Sequence, residues 1–290
     1  MPEAGALKLG KFRLRLLSDG EFRLDGGAMF GVVPKPMWER AKVPDAQNRI
    51  RMATNCLLIE TGKDLVLVDT GIGDQHDAKF AAIYALDPAA VRLPASLAAA
   101  GYAPEDVTQV VLTHLHFDHC GWNTRREGER SVPTFPRARY WIEKGEVEHA
   151  RAPSERDRAS YFPRNWEPLF EAGQVELFEN EVEVVPGVRA VKAPGHNADM
   201  CVVTLDGGGD ERGVYWADLV PTVAHVPLPW IMGYDLFPME TLAQKKRWLP
   251  RAAAEGWLCI FEHDAETPLA RIVEDAPGRL RAEPLASEVR

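Results

Sequence analysis

The 290-residue sequence lacks the features that would place it in a membrane or on nucleic acid. No apolar run is long enough to cross a bilayer, and the N-terminus has no apolar core typical of a secretory signal. The formal net charge is −9 and no long basic segment offsets it, which argues against a nucleic-acid partner. We therefore expect a cytoplasmic protein with neither a membrane nor a nucleic acid as its partner.

Cysteine is also scarce, and the four residues Cys56, Cys120, Cys201 and Cys259 are widely spaced. Most of them lie in apolar, strand-like segments, which favours buried free thiols in a reducing compartment over a disulfide framework. Cys120 differs because it lies beside a cluster of histidines. A soft thiolate ligand at that position is the less favoured alternative.

Hydrophobic residues make up 46% of the chain and charged residues 27%, which indicates a folded globular protein rather than a disordered one. We see no internal repeat and no linker, so one domain over residues 1–290 is predicted, with two strand-rich halves. Strands are expected in the first half at 12–17, 56–60 and 65–69, and in the second at 175–177, 182–185, 188–192, 200–205, 213–216 and 257–261. Helices are expected at 77–84, at 96–100 and at 239–255, the last interrupted at Pro250.

Two segments do not fit a regular sheet. Residues 24–36 are too rich in glycine for a helix or strand but are apolar, and they predict an ordered loop near the functional site. Residues 123–172 are rich in charged residues, are interrupted by prolines and contain several aromatic residues. This composition predicts an insertion of helices and loops over the strand-rich scaffold. A substrate cap, an oligomer contact and a surface helix pair all remain open for it, and a homodimer is compatible with the second of these.

Histidine is rare but concentrated. Only eight histidines occur in the chain, yet His114, His116 and His119 fall within six positions, together with Asp118. They follow the apolar run 110–112, which is typical of a buried strand. Because His114 and His116 are two residues apart at the end of a strand, their side chains point to the same side and can bind one ion. Asp118 and His119 can then bind that ion or a second one nearby, so we predict a metal site.

Three further candidate ligands lie at the ends of strand-like runs, where side chains emerge from a rigid scaffold. They are His196, Asp218 and His263. A single histidine or aspartate after a strand is more often a turn or capping residue. The order in which the three follow the histidine cluster favours the functional interpretation.

This order resembles that of the metallo-β-lactamase-fold hydrolases, over nearly the full length of the chain. Their His-x-His-x-Asp-His signature is matched by residues 114–119, and their later histidine, bridging aspartate and final histidine fall on His196, Asp218 and His263. The family's Asp-Thr-Gly is matched at 69–71, where Asp69 would support the ligating histidines from behind. The resemblance implies an α+β fold, a four-layer αβ/βα sandwich of two packed mixed β-sheets flanked by helices.

The resemblance also implies two divalent metal ions per chain. One would be held by His114, His116 and His196, the other by Asp118, His119 and His263, with Asp218 bridging them. Imidazole and carboxylate ligands suit zinc best, while manganese, iron and cobalt are compatible. A metal-bridging hydroxide would be the nucleophile of a hydrolase, and the catalytic residues would be Asp218 and Asp118, the latter relaying a proton.

Within this superfamily the sequence resembles the acyl-homoserine lactonases, pyridoxolactonase and the methyl-parathion-hydrolase-like enzymes. Asp218 stands where one large subclass of true β-lactamases has a cysteine, which argues against antibiotic hydrolysis. The lactonases have a tyrosine three residues after the bridging aspartate, but this chain has Pro221, and Tyr234 is the candidate replacement. We predict a lactonase or esterase (EC 3.1) acting on a small uncharged substrate, in an apolar pocket of Met29, Phe30, Phe117, Trp122, Trp230, Ile231 and Tyr234.

Other functions remain open. A glyoxalase II-like thioesterase and an organophosphate hydrolase use the same fold and chemistry. A mononuclear iron enzyme like the persulfide dioxygenases would need only His114, His196 and Asp218, and a non-catalytic metal-binding scaffold would need no substrate at all. Counting metal ions separates these classes, because the hydrolase requires two ions per chain.

Overall fold

The computed structural model describes residues 6–90 and 92–285. Its strands are β1 (Leu7–Leu9), β2 (Phe12–Asp25), β3 (Arg49–Glu60), β4 (Leu65–Val68), β5 (Gln109–Val111), β6 (Thr124–Glu127), β7 (Arg130–Pro133), β8 (Arg139–Glu143), β9 (Val175–Phe178), β10 (Glu181–Val185), β11 (Val188–Lys192), β12 (Cys201–Gly208), β13 (Glu211–Tyr215), β14 (Leu258–Ile260), β15 (Leu269–Ala276) and β16 (Arg279–Pro284). Its α-helices are α1 (Gly26–Phe30), α2 (Lys35–Trp38), α3 (Ala78–Tyr84), α4 (Leu93–Ala99), α5 (Lys144–Arg151), α6 (Glu167–Glu171) and α7 (Pro238–Ala254).

Fourteen of these strands form two seven-stranded sheets. The first sheet has the order β1-β2-β3-β4-β5-β8-β9, antiparallel up to β4 and parallel from there on. The second runs in sequence order from β10 to β16 and is antiparallel except where β13 pairs with β14. Both sheets are therefore mixed, as the resemblance predicts.

The two sheets pack face to face. Side chains alternate between the two faces of each strand, so one face of the first sheet packs on the second sheet and the other on the helices. In β3, Leu57 and Ile59 belong to the apolar core shared with the second sheet, whereas Leu58 belongs to a separate core beneath the helices. Leu97 of α4 and Val147 of α5 are part of that outer core. Burial on both faces accounts for the continuous apolar run that this strand shows in the sequence. On the other side of the sandwich, α7 packs against the second sheet, which completes the predicted αβ/βα layers.

The prediction of a loop without regular structure at residues 24–36 is wrong, because α1 and α2 form there. The Asp25 carboxylate accepts a hydrogen bond from the Ala28 N–H and so caps α1. Gly26 is needed because a Cβ at this position would lie 2.3 Å from the Trp38 ring. The predicted interruption at Pro250 is also wrong. Helix α7 continues through it, and packing of Trp248 and Leu249 into the core offsets the hydrogen bond that proline cannot donate.

Residues 123–172 contain more strand than we predicted. Besides α5 and α6 they supply the β6–β7 hairpin and β8, which lies inside the first sheet. The remainder packs onto the histidine motif. His116 forms an isolated β-bridge with Tyr161, and the Phe117 N–H donates to the Ser160 carbonyl at 2.9 Å. This segment is therefore partly scaffold and partly the support of the metal-binding loop.

All four cysteines are buried free thiols, as predicted. Among the described residues, no helix has both the length and the apolar character that a membrane span requires.

Candidate metal centre

Seven side chains from both sheets meet at one edge of the sandwich. The motif 114–119 follows β5, while His196, Asp218 and His263 follow β11, β13 and β14. The ligand atoms of His114, His116, His196 and Asp218 lie within 4.8 Å of one another, and those of Asp118, His119 and His263 form a second group by the same measure. The structure thus brings together every side chain that the sequence proposes as a ligand.

Asp218 lies between the two groups. Its Oδ2 is 3.1 Å from His196 Nε2 and its Oδ1 is 3.1 Å from His263 Nε2. The His119 Nε2 of the second group is 3.7 Å from Oδ2. One carboxylate therefore reaches both groups, which is the placement a bridging ligand requires.

The arrangement of nitrogen atoms fits a pair of cations. His116 Nδ1 lies 3.0 Å from His196 Nε2, and His119 Nε2 lies 3.2 Å from His263 Nε2, so two pairs of ring nitrogens face each other. Two unprotonated nitrogens at this distance repel unless a proton or a cation lies between them. His114 Nε2 is buried and has no hydrogen-bond partner within the described residues, which is costly without a ligand. Buried imidazoles and carboxylates are the donor set that zinc prefers.

Hydrogen bonds at the opposite side of the rings fix which nitrogen faces the centre. His263 Nδ1 lies 2.8 Å from the Ala53 carbonyl, which can only accept, so Nδ1 carries a proton and Nε2 is the nitrogen that faces the centre. His196 Nδ1 is held at 3.1 Å by Asp235. His119 Nδ1 lies 3.0 Å from Asp69 Oδ2. These partners set ring orientation and tautomer, as in many metal centres.

Asp69 is the supporting residue that the sequence predicts, and it is fully buried at a φ of +55°. It accepts hydrogen bonds from the Thr113 N–H at 2.8 Å and from the Thr113 hydroxyl at 2.7 Å, immediately before the histidine motif. Sequence reasoning missed two further supports. Asp235 accepts from the Thr241 hydroxyl at 2.7 Å, and Glu262 Oε2 lies 2.9 Å from His119 Nδ1.

Burial and charge set the protonation of the metal-free centre. Burial lowers the pKa of His114 and His116 well below its usual range, and neighbouring imidazoles add to this, so both rings are neutral as a ligand must be. For His119, burial also lowers the pKa, but the carboxylates Glu262, Asp118 and Asp218 outweigh it and the pKa lies well above its usual range. A cation would take the place of such protons.

A cavity of about 290 Å³ opens onto the centre. Three of the predicted pocket residues line it: Met29, Phe117 and Tyr234. The other lining side chains outside the ligand set include Leu24, Tyr84, Arg156, Asp157, Ser160 and Met232, which sequence reasoning missed. No local signal marks them, because they come from four separate segments of the chain.

The remaining predicted pocket residues lie outside this lining. Phe30 is completely buried and stacks on His225 with ring centroids 4.7 Å apart. Trp122 donates its indole N–H to the buried carboxylate of Asp19 at 2.6 Å. Trp230 packs edge-on against Phe30. Phe30 and Trp230 pack behind the pocket wall, whereas Trp122 belongs to the separate core beneath the helices, and Ile231 is likewise not part of the lining.

The pocket loop 226–235 is held by a buried lysine of α7. Lys245 has no exposed surface, and its ammonium donates to the carbonyls of Pro227, Leu228 and Trp230 at 2.8, 3.2 and 2.9 Å. The same loop carries Asp235, the support of His196. Lys245 therefore positions both a pocket wall and a candidate ligand.

We expect Lys245→Met to lower the free energy of unfolding by about 2–4 kcal/mol, because three buried carbonyls lose their donor. Catalytic efficiency should fall with it as the loop loosens. Denaturant unfolding and steady-state kinetics measure both effects. Lys246→Met is the matched control, since Lys246 is exposed on the same helix and should change neither quantity. Equal stability of the two variants would contradict the role of Lys245.

Glu146 of α5 connects the 114–119 motif with the segment that carries His196. It is buried, and its two oxygens accept from the Leu115 N–H at 2.8 Å and from Asn197 Nδ2 at 2.7 Å. Burial raises its pKa from the usual 4.5 to about 8, against the lowering effect of its hydrogen bonds to Leu115 and Tyr161. The side chain therefore keeps its proton at neutral pH in the folded protein.

This shift predicts a pH-dependent stability. Between about pH 5 and pH 8 the unfolded chain has lost the Glu146 proton while the folded chain keeps it, so stability falls as pH rises through that window. Glu146→Gln stays neutral and should show a flatter profile, from a lower starting value because its amide cannot accept from Asn197. Thermal unfolding over this pH range tests this, with Glu148→Gln, exposed on the same helix, as control. An unchanged slope in Glu146→Gln would refute it.

Comparisons with known proteins show the family to which the chain belongs. Residues 49–263 match the family model of the metallo-beta-lactamase superfamily. A probable metallo-hydrolase of Mycobacterium tuberculosis is 32% identical over 213 residues, which cover 62% of this chain and 63% of that protein. An N-acyl homoserine lactonase of Bacillus cereus is 28% identical over 159 residues, covering 52% and 57%. The matched region thus spans less than two-thirds of the length of these curated relatives.

Solved structures match over nearly the whole chain. A probable metal-dependent hydrolase from Staphylococcus aureus has a TM-score of 0.89 at 29% identity, covering 97% of this chain and 99% of the other. AidC, described as a dizinc quorum-quenching lactonase, has a TM-score of 0.79 at 24% identity, covering 97% of each chain. At that identity the second match shows a shared fold and no more.

Proposed function

This chain belongs to the metallo-β-lactamase superfamily of metallo-hydrolases, and from that premise we propose that it opens lactones or cleaves carboxylic esters of small apolar substrates at a centre of two divalent ions. The observation that carries the proposal is the position of Asp218, 3.1 Å from a histidine of each ligand group. A single-ion enzyme has no use for the second group of Asp118, His119 and His263. Lactonase relatives support the choice of reaction.

The residues divide between the ions by proximity. His114, His116 and His196 would hold the first and Asp118, His119 and His263 the second, with Asp218 between them. Zinc suits this set best, and manganese, iron or cobalt are compatible with it. When bound, two such ions would lower the pKa of a bound water to about 7 and polarise the carbonyl oxygen of the substrate.

The chain itself would supply binding, orientation and proton transfer. Met29, Phe117 and Met232 form apolar walls that hold an acyl or alkyl group and exclude water. Asp118 lies at the floor of the cavity, only 8% exposed, where it can accept a proton and pass it to the leaving oxygen. The proposed reaction thus needs no serine or cysteine nucleophile.

Tyr234 is the candidate for the phenol that lactonases carry three residues after the bridging aspartate. In this chain that position is Pro221, whose carbonyl accepts from the His263 N–H at 3.0 Å and so serves the ligand loop. Tyr234 lines the cavity and is 40% exposed, and burial raises its pKa, with the negative charges of Asp25 and Asp118 adding to this. Its hydroxyl would therefore donate to the substrate as a neutral phenol.

We expect Tyr234→Phe to lower kcat/KM for a lactone by about tenfold, the usual effect of one lost hydrogen bond to a polar substrate group. Initial rates over a range of lactone concentrations measure it. Tyr102→Phe removes a hydroxyl far from the cavity and should leave kcat/KM unchanged. If Tyr84→Phe reduces the rate and Tyr234→Phe does not, the donor is Tyr84 and the assignment of Tyr234 is wrong.

The proposed function is tested with protein reconstituted with zinc, manganese, iron or cobalt and offered lactones, aryl esters, thioesters and phosphotriesters. The expected result is two ions per chain and the highest kcat/KM for a lactone or carboxylic ester. Preference for a thioester would favour a glyoxalase II-like enzyme, and preference for a phosphotriester an organophosphate hydrolase. One iron per chain with uptake of oxygen would overturn the proposal in favour of a dioxygenase.

A further inference from the structure

A second cavity, of about 700 Å³, lies across an aromatic wall from the metal centre. The wall consists of Phe80, Phe117 and Phe162, whose ring centroids are 5.1 to 5.8 Å apart. Phe117 lines the cavity at the centre, whereas Phe80 and Phe162 line the second cavity. The proposed hydrolysis makes no use of this second space.

Hydrogen bonds connect the three segments that surround the second cavity. Gln75 donates from Nε2 to the Thr124 carbonyl at 3.1 Å and to its hydroxyl oxygen at 3.0 Å, and its Oε1 accepts from the Ser131 hydroxyl at 2.9 Å. The Thr124 hydroxyl in turn donates to the Arg164 carbonyl at 2.9 Å. The approach to α3, the β6–β7 hairpin and the segment at 162–164 are therefore fixed relative to one another, so the cavity is preformed.

Two arginines line this cavity, and within the described residues neither forms an ion pair with a neighbouring carboxylate. Within residues 6–90 and 92–285, the guanidinium groups of Arg126 and Arg164 form neither an ion pair nor a side-chain hydrogen bond. Partial burial and the nearby charge of Arg126 lower the pKa of Arg164, and the carboxylate of Asp77 only partly offsets them. Both side chains are exposed at the rim of the cavity, so their N–H groups are available to a small anion that enters it.

The geometry of Arg164 leaves its hydrogen-bonding edge available. Its guanidinium carbon lies over the Phe162 ring, 4.3 Å from the ring centroid, a contact typical of a guanidinium stacked on an aromatic face. Stacking uses the face of a guanidinium, whereas a carboxylate binds at its N–H edge with two parallel hydrogen bonds. Arg164 can therefore do both at once.

The opposite wall limits the charge of the ligand. Asp74 and Asp77 line the cavity on the side of His76, and Asp77 uses one oxygen to cap α3 through the Phe80 N–H at 2.7 Å. Burial lowers the pKa of His76, so this ring is neutral near pH 7 and adds no positive charge. Two carboxylates opposite two arginines disfavour a dianion such as phosphate and favour a ligand with a single negative charge.

We infer that this second cavity is a binding site for a small aromatic carboxylate, with the carboxylate held by Arg126 and Arg164 and the ring against Phe80 and Phe162. Benzoate is the simplest ligand with these properties. The site is separate from the metal centre, so the inference does not depend on the proposed lactone or ester hydrolysis.

Isothermal titration of benzoate into the metal-loaded protein tests this inference. For a ligand of this size we expect saturable binding with a Kd on the order of 1 mM. Arg126→Gln and Arg164→Gln should each weaken it by about tenfold, the usual effect of losing a charge-assisted hydrogen bond. Arg125→Gln is the matched control, because Arg125 does not line the cavity and alternates with Arg126 onto the other face of β6, and it should change the Kd by less than about twofold.

Several results would overturn the inference. If Arg126→Gln and Arg164→Gln bind benzoate as tightly as the unchanged protein, the carboxylate binds elsewhere, for example on the metal ions. Equal weakening by Arg125→Gln would show a general charge effect. Benzyl alcohol or inorganic phosphate binding as tightly as benzoate would exclude a site for an aromatic monoanion, as would the absence of saturable binding.

Discussion

Replacing His116 by alanine is expected to lower the metal content of the protein and to reduce turnover of its substrate by more than about a hundredfold. Loss of a residue that only supports a ligand costs 10–100-fold in many metal centres, and His116 is proposed to be a ligand itself. Its Nδ1 faces His196 Nε2 at 3.0 Å, so its removal also leaves the remaining imidazole without its partner. Metal analysis of the purified variant and initial rates on the best substrate measure both effects.

The control for this experiment is His76→Ala. His76 is a histidine of the same chain outside both ligand groups, where it stacks on Phe80 with ring centroids 5.5 Å apart. Its removal should leave metal content and turnover unchanged. A His116→Ala protein that keeps its full metal content and hydrolyses lactones at the original rate would refute the proposed centre.

Asp218→Asn is expected to have an effect of similar size for a different reason. The amide keeps the volume of the side chain but removes the negative charge that lies 3.1 Å from His196 and from His263. In the metal-free centre, burial would raise the pKa of Asp218, but the positive charges of His196, His263 and His119 lower it well below its usual range. The carboxylate is therefore ionised and available to two cations, whereas an amide is a much weaker ligand.

We expect the Asp218→Asn protein to bind fewer than two ions per chain and to lose more than about a hundredfold in kcat. Titration with zinc under a competing chelator gives the stoichiometry and the affinities. Asp210→Asn, in the exposed turn between β12 and β13, is the control for loss of one negative charge. Retention of two tightly bound ions by Asp218→Asn would show that the two groups do not share this residue.

The sequence predicts well which side chains come together, because most of the proposed ligands are placed by local rules. The spacing of His114 and His116 after an apolar strand requires only that the strand be regular. The convergence of His196, Asp218 and His263 on the same point depends on how two sheets pack, and no spacing along the chain contains it. The resemblance to a known family supplied that information.

The parts that sequence reasoning missed depend on side-chain direction and tertiary contacts. Glu262 lies next to a predicted ligand, but only its place beside His119 Nδ1 shows a supporting role. Phe30 and Trp122 are apolar and near the motif in space, yet one stacks beneath the pocket and the other turns to Asp19. At residues 24–36, three glycines argue against a helix, and only the tertiary structure shows that the Trp38 ring occupies the space beside Gly26.

The division of the ligands between the two sheets affects the order in which the centre can form during synthesis. A nascent chain that ends before residue 196 carries the whole 114–119 motif, yet neither ligand group is complete. The first group is complete only after β13 and Asp218 have been synthesised, and the second only after β14 and His263. Domains generally assemble as units as they leave the ribosome, so metal loading would be a late event that follows the docking of the second sheet. Until then the histidine motif is exposed to whichever ions the surrounding solution offers.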